Sequence, residues 1–303
     1  MEDLNKFKGI FPAFYTSYDA EGNVSGERTK SLVEYLYNKG VRGLYITGSS
    51  GECIYLNVEE RKTVMKAVMD VAKGKMTVIA HVGACSTRDS VALAKYAKEI
   101  GVDAIASIPP VYFALGEDAI VDYWTAMIEA AELPFIIYNM PSATGVNVSA
   151  SLFSTMLKNK HMIGIKNTSM PVMDLLKFKT LGGKDCIVFN GPDEQYAAGR
   201  LMGADSGIGG TYGVMPELFL KIDELISQND FNKAAELQGI TTNLIFEILN
   251  AGNMFAVVKY ILKLRGMDIG TPRGPLPQLA QSSYPIVEAL EKKITQAIDS
   301  WCN

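Results

Sequence analysis

"HMIGIKNTS", residues 161–169, is an apolar run without alternation that ends on a lysine. A strand with one wet face alternates apolar and polar residues, whereas a strand covered on both faces is apolar throughout. This stretch therefore reads as a parallel strand buried on both sides, and Lys166 marks where it leaves the core. Seven more stretches are strand candidates, and most of the eight are near-continuously apolar: "GIFPAFYT" (9–16), "GLYIT" (43–47), "MTVIAHVG" (76–83), "AIASIPP" (104–110), "PFIIYNM" (134–140), "CIVFNG" (186–191) and "SGIGGTY" (206–212). Between them lie helix-period segments such as 25–40, 57–74, 86–101 and 116–132. The first three open on a capping-type residue and close on glycine. Eight strands, each followed by a helix, predict an α/β fold, a (β/α)8 TIM barrel. The competing doubly wound sheet is disfavoured, because no G-x-G-x-x-G follows the first strand. Past residue 222 only helical patterns remain, with "TPRGPLP" (271–277) as a rigid linker between the last two. The expected organisation is a catalytic barrel over 1–222 and a C-terminal helical extension over 223–303.

The bulk properties narrow the functional classes. The chain has 303 residues, is 48% hydrophobic and 20% charged, and carries a net charge of −4, with lysines scattered rather than clustered. Nucleic-acid binding usually requires a basic face, so no nucleic-acid partner is expected. No apolar run approaches the ~18 residues of a membrane span, and "MEDLNKFKGIF" has no long apolar core of a signal peptide. The expectation is a cytoplasmic protein. Cys53, Cys85, Cys186 and Cys302 lie far apart without a CxxC pair, fitting a reducing compartment better than disulfides or zinc. His81 and His161 are the only histidines. That leaves little room for a histidine metal centre or a Ser-His-Asp triad, so no metal is expected and catalysis must rest on Lys, Tyr, Asp, Glu or hydroxyls. His161 is placed in a surface loop, and His81, inside "TVIAHVG", reads as a satisfied interior group.

In a barrel the chemistry sits at the C-terminal strand ends. Those ends offer Ser49, Ser50, Gly51 and Glu52, then Pro110 and Tyr112, then Tyr138 and Asn139. Later strands add Lys166 and Thr168, Asp193 and Glu194, and Gly209, Gly210 and Thr211. For Lys166 two readings stand level. Burial at a strand end disfavours an ammonium and favours the neutral amine that attacks carbonyls; a structural lysine paired with an acid would also fit. Tyr138, alone, reads as a core aromatic. Beside Lys166 it becomes a candidate proton shuttle for a Schiff base. "GSSG" (48–51) is an ordinary turn in isolation, but its amides and two hydroxyls suit a carboxylate, such as that of an α-keto acid.

These motifs carry a family resemblance. "GLYITGSSGE", "AHVGACST", "YNMPSATG", "IGIKNTS", "NGPDE" and "GADSGIGGTY" fall in the order and approximate spacing of the N-acetylneuraminate lyase and dihydrodipicolinate synthase family of pyruvate-dependent class I aldolases. The chain resembles that family almost end to end. The resemblance implies a (β/α)8 barrel assembled as a homotetramer, with Lys166 forming the Schiff base and Tyr138 as general acid/base. It implies that Ser49, Ser50 and the adjacent amides, Gly51 among them, hold the pyruvyl carboxylate, and that Tyr112 reaches toward a neighbouring subunit's site. No dissociable cofactor is implied.

Within the family, synthases typically place arginine where this chain has Ala143, and favour G-T-T-G-E; both differences point away from the synthase. Lyases carry a threonine two residues after the lysine, here Thr168, and an acidic pair after the glycine of the seventh strand, here Gly191 with Asp193 and Glu194. The resemblance gives that pair the sugar's polyhydroxy tail; helix N-terminal acids answering a dipole remain the other reading. Gly209 and Gly210 fall on the same side. Pro192 replaces the usual aromatic, and Gly210 replaces a serine that contacts the sugar. The expected reaction is cleavage of a 2-keto-3-deoxy sugar acid, N-acetylneuraminate first, to N-acetylmannosamine and pyruvate. Other keto-acid aldolases or dehydratases of the family, the synthase, and a non-catalytic ligand-binding barrel stand as alternatives.

Overall fold

Among the described residues, eight strands pair edge to edge, all parallel. They are β1 (Gly9–Pro12), β2 (Gly43–Ile46), β3 (Thr77–His81), β4 (Ala104–Ser107), β5 (Phe135–Asn139), β6 (Met162–Asn167), β7 (Ile187–Asn190) and β8 (Ser206–Gly209). The computed structural model describes residues 4–302; Met1–Asp3 and Asn303, at the outer ends of the two expected segments, lie outside the described residues. Neighbours run β1-β8-β7-β6-β5-β4-β3-β2. A bridge between Ala13 and Tyr45, with the Phe14 amide donating to the Tyr45 carbonyl at 2.9 Å, brings β1 back to β2. The fold is a TIM barrel with a helical addition at its C-terminus.

The helices that return each strand are α1 (Gly26–Asn38), α2 (Val58–Ala72), α3 (Thr87–Ile100), α4 (Glu117–Ala131), the short α5 (Pro141–Thr144), α6 (Ala150–Met156), α7 (Met173–Gly182), α8 (Tyr196–Leu201) and α9 (Pro216–Ser227). Their starts are chemically marked. Ser25 and Ser86 cap the first turns of α1 and α3, and Asn57 with Glu60 forms a reciprocal capping box on α2. Gly101 closes α3 in the left-handed conformation, φ 83°.

Side-chain alternation along the strands splits the core in two. One cluster, including Phe11, Tyr45, Ile79, Ile136, Tyr138, Phe189 and Ile208, fills the barrel interior. The other, far larger, lies between strands and helices. In β5, Ile136 and Tyr138 point inward while Phe135 and Ile137 pack outward.

Helix α9 runs across position 222 to Ser227, because its buried face (Leu218, Phe219, Ile222, Leu225) continues past the expected boundary. The extension itself is α10 (Phe231–Ala251), α11 (Met254–Leu264) and α12 (Tyr284–Cys302). Its helices bury one another's apolar faces through residues such as Leu237, Leu244, Val257, Ile261, Val287 and Leu290. Among the described residues no single helix is long and apolar enough to cross a membrane. All four cysteines are free.

Candidate active site

Lys166 reaches the barrel interior because β6 carries a bulge. Pairing with β5 steps from Met162 opposite Phe135 to Gly164 opposite Ile136, which leaves Ile163 as an extra residue. With period-two alternation, one extra residue inverts the phase of everything after it. Ile163 points into the barrel, Ile165 packs outward, and Lys166 turns inward again. Gly164 makes this possible: a Cβ there would collide with the Ile187 carbonyl of β7. Lys166 is 4% exposed, and its Nζ lies 3.9 Å from the centre of the Tyr138 ring and 4.6 Å from that of Tyr45. The amine thus rests on two aromatic faces, a favourable place for a cation or iminium.

Tyr138 sits directly opposite Lys166 in the β5–β6 register. One residue further on, the buried Asn139 side chain donates from Nδ2 to Asn167 Oδ1 at 2.7 Å, and its Oδ1 accepts from the Val148 amide at 3.1 Å. This polar stitch fixes the two strand ends at the same height. The Tyr138 hydroxyl lies 3.4 Å from Ser49 Oγ and donates to Met140 Sδ at 3.1 Å. Phenol, serine hydroxyl and amine are therefore grouped around one point.

Ser49 and Ser50 come from a turn bracketed by two left-handed non-glycine residues, Thr47 (φ 53°) and Glu52 (φ 57°). Such conformations persist only where the surroundings enforce them. Thr47 Oγ1 donates to the His81 carbonyl at 2.8 Å, and Thr16 Oγ1 donates to the Gly51 carbonyl at 2.6 Å. The buried Arg61 guanidinium donates to the carbonyls of Gly83 (2.7 Å) and His81 (2.5 Å), tying together the ends around the turn. Burial and the neighbouring Arg61 hold His81 well below the usual imidazole range. The neutral ring fits its partners: Nδ1–H donates to the Thr47 carbonyl at 3.1 Å, and Nε2 accepts from the Ile108 amide at 3.2 Å.

Across the cavity, the buried Asp193 accepts from the Thr211 amide (2.7 Å) and hydroxyl (2.5 Å). Burial raises its carboxyl to about 7 despite those donors. Gly209 has to be glycine, since a Cβ would strike the Asp193 carboxylate, and a Cβ on Gly191 would strike Thr168 Oγ1. The extension supports this side: Gln238 of α10 accepts from the Ala197 amide (2.9 Å) and donates to the Asp193 carbonyl (3.2 Å), and Thr242 donates to the Glu194 carbonyl (3.0 Å).

The cavity, about 700 Å³, is lined by Ser49, Ser50, Tyr138, Lys166, Thr168, Gly191, Asp193, Glu194 and Gly210. Those nine are the expected site residues that the fold brings together. Gly51 and Gly209 lie behind the lining. Tyr112 is 92% exposed, at φ 84°, stacked edge-on against Phe113 and outside the cavity of its own chain. Beyond the strand-end residues the site also holds Tyr45, Met140, Asn147 and Asp174, along with Ile245, Leu249, Met254 and Phe255, which α10 and α11 contribute to the wall. Tyr45 had a usable signal, as an inward-facing position of β2; the helical contributors had none local to a strand end. Among the described residues, no group of three or more His, Cys, Asp or Glu is placed to hold a metal ion.

The model of the dihydrodipicolinate synthetase family matches residues 6–295. The chain belongs to that family. As a member, it is 50% identical over 300 residues to the N-acetylneuraminate lyase of Mediterraneibacter gnavus, covering 98% of this chain and 95% of that one. It is 31% identical over 297 residues to N-acetylneuraminate lyase 2 of Escherichia coli O6:H1, covering 97% and 96%. The sialic acid aldolase of Ruminococcus gnavus, solved as a catalytic lysine mutant, superposes with a TM-score of 0.98 at 49% identity, covering 99% of this chain and all of that one.

Proposed function

We propose that this family member is a Schiff-base lyase that cleaves N-acetylneuraminate to N-acetylmannosamine and pyruvate. The observation that carries the reading is the grouping of Lys166, Tyr138 and Ser49: the amine lies 3.9 Å from the Tyr138 ring, whose hydroxyl stands 3.4 Å from Ser49 Oγ. Similarity to lyases and to a sialic acid aldolase over nearly the whole chain supports the same substrate.

Lys166 Nζ attacks the C2 ketone of the open-chain sugar acid, and loss of water gives an iminium. The carboxylate is received by Ser49, Ser50 and the amides of their turn. Tyr138, as phenolate, takes the C4 hydroxyl proton. The C3–C4 bond then breaks, its electron pair passing into the iminium to leave an enamine and the free aldehyde of N-acetylmannosamine. Protonation at C3 and hydrolysis release pyruvate and regenerate the amine. Thr168, Gly191, Asp193, Glu194 and Gly210 face the polyhydroxy tail; Asp193 Oδ2 is already held by Thr211, which leaves the Glu194 carboxylate and Asp193 Oδ1 as acceptors for sugar hydroxyls. Gly51 and Gly209 shape the two ends from behind. The chemistry needs no metal or dissociable cofactor.

The chain works as a cytoplasmic homotetramer, in which Tyr112 of one protomer reaches the cavity of its neighbour. Its exposure, beside the exposed Phe113 and close in sequence to the exposed Leu115, supports that role. Pyruvate release from N-acetylneuraminate, compared with release from shorter 2-keto-3-deoxy acids, tests the substrate. Preferential release from the shorter acids would replace this reading with an aldonate aldolase.

A further inference from the structure

Glu52 closes the serine turn, yet its carboxylate is held by Lys259, Tyr18 and the Arg273 amide, none of which lines the cavity. Lys259 of α11, 207 residues further along the chain, donates to Glu52 Oε1 at 2.7 Å, and the two side chains are 1% and 0% exposed. Glu52 Oε2 accepts from the Tyr18 hydroxyl (3.2 Å) and from the Arg273 amide (2.8 Å), within the Pro/Gly linker. Lys259 also donates to the Thr271 carbonyl at 3.3 Å and lies 4.3 Å from the Tyr18 ring centre. Two segments of the extension, α11 and the 271–277 linker, thus converge on the last residue of a turn that belongs to β2.

A buried charge pair is weak evidence for stability, since apolar replacements of similar volume are often as good. What this pair does supply is direction. Glu52 holds φ 57°, a backbone state that disfavours non-glycine residues, and its carboxylate is fixed through both oxygens. The serine turn closes on that residue, whose amide donates to the Ser49 carbonyl at 2.9 Å. We infer that Glu52 and Lys259 are positioning residues: the C-terminal extension holds the carboxylate-receiving turn in its binding conformation through this ion pair. The inference rests on the reading above that the Ser49–Ser50 turn receives the keto acid's carboxylate.

The test uses the full-length protein. The double variant Glu52→Gln/Lys259→Met removes both charges while keeping volume, so neither partner is left as an unpaired buried charge. Tyr18→Phe is the milder second variant, because it deletes one hydrogen bond to Glu52 and leaves the pair in place. Each is measured for the pyruvate concentration that half-saturates borohydride trapping on Lys166, for kcat in the condensation direction and for Tm. The expected result for the double variant is a roughly tenfold higher half-saturating pyruvate concentration with kcat little changed, as for a misplaced binding group. A smaller shift in the same direction is expected for Tyr18→Phe.

Half-saturation at the wild-type concentration in a folded double variant overturns the inference, as does a loss of kcat alone. If the double variant does not fold, an unshifted Tyr18→Phe overturns it. Failure of the underlying reading looks different: wild-type protein would give no pyruvate adduct on Lys166, or Ser50→Ala would leave half-saturation unchanged. Either outcome removes the inference together with that reading.

Discussion

Gly164→Ala should cost this protein both stability and lysine reactivity, and the second loss should be the larger. The added methyl would meet the Ile187 carbonyl and side chain, and Ile187 is itself the β7 residue paired with position 164. Neither strand can yield without disturbing the ladder. Overpacking of a tight site costs about 1–3 kcal/mol, and a lost ladder hydrogen bond adds about 1 kcal/mol. Together these give roughly 2–4 kcal/mol, which for a chain of this length is a fall in Tm of roughly 3–6 °C. The chain can relieve the clash by shifting β6 at the bulge. Any such shift moves Lys166, two residues on, away from its place on the Tyr138 and Tyr45 rings. Thermal unfolding gives the first quantity, and pyruvate-dependent borohydride labelling of Lys166 per folded molecule gives the second. Wild-type Tm with wild-type labelling would refute the account of the bulge.

Three further outcomes follow from the site. With its carboxyl raised to about 7 by burial, Asp193 loses its proton across neutral pH. The KM for N-acetylneuraminate should therefore fall as pH rises through about 7, while the pyruvate dependence of Lys166 trapping keeps its own profile. Because the fold favours the protonated acid, its contribution to stability is full below the ordinary carboxyl value of 3.8 and is lost as pH rises through about 7; Asp193→Asn should flatten both trends. The Tyr45 hydroxyl is buried without a hydrogen-bond partner among the described residues, so Tyr45→Phe should leave Tm unchanged or higher. Tyr45→Leu removes a ring face under the Lys166 amine, up to ~2 kcal/mol when desolvated, and should slow adduct formation. Gln238→Ala strands the Ala197 amide and frees the Asp193 carbonyl; a Tm loss matching about 1–3 kcal/mol and a raised KM for the sugar acid are expected.

The barrel was legible because its strands are buried on both faces, and stretches such as "MIGI" and "FIIY" have no wet side to disguise them. Helix starts were legible for a local reason as well, since Ser25, Asn57 and Ser86 act on amides three residues away. Lys166 and Tyr138 could be paired because each ends a buried strand. What the sequence concealed depends on register or on distance along the chain. The bulge at Ile163 is a single-residue shift that only the pairing with β5 reveals. Tyr45 under the lysine and Met140 beside the phenol look like ordinary core residues. Glu52 read as the end of a motif, and nothing near it announces a partner in α11. Strand signals stop by about residue 222, and nothing local to that point marks the end of α9 at Ser227.

The most direct measurement is pyruvate plus borohydride followed by peptide mass spectrometry on the intact chain and on Lys166→Ala. A reduced three-carbon adduct is expected on the peptide containing Lys166, absent from the variant and weakened in Tyr138→Phe. An unmodified Lys166, or an adduct on another lysine such as Lys259, would contradict it.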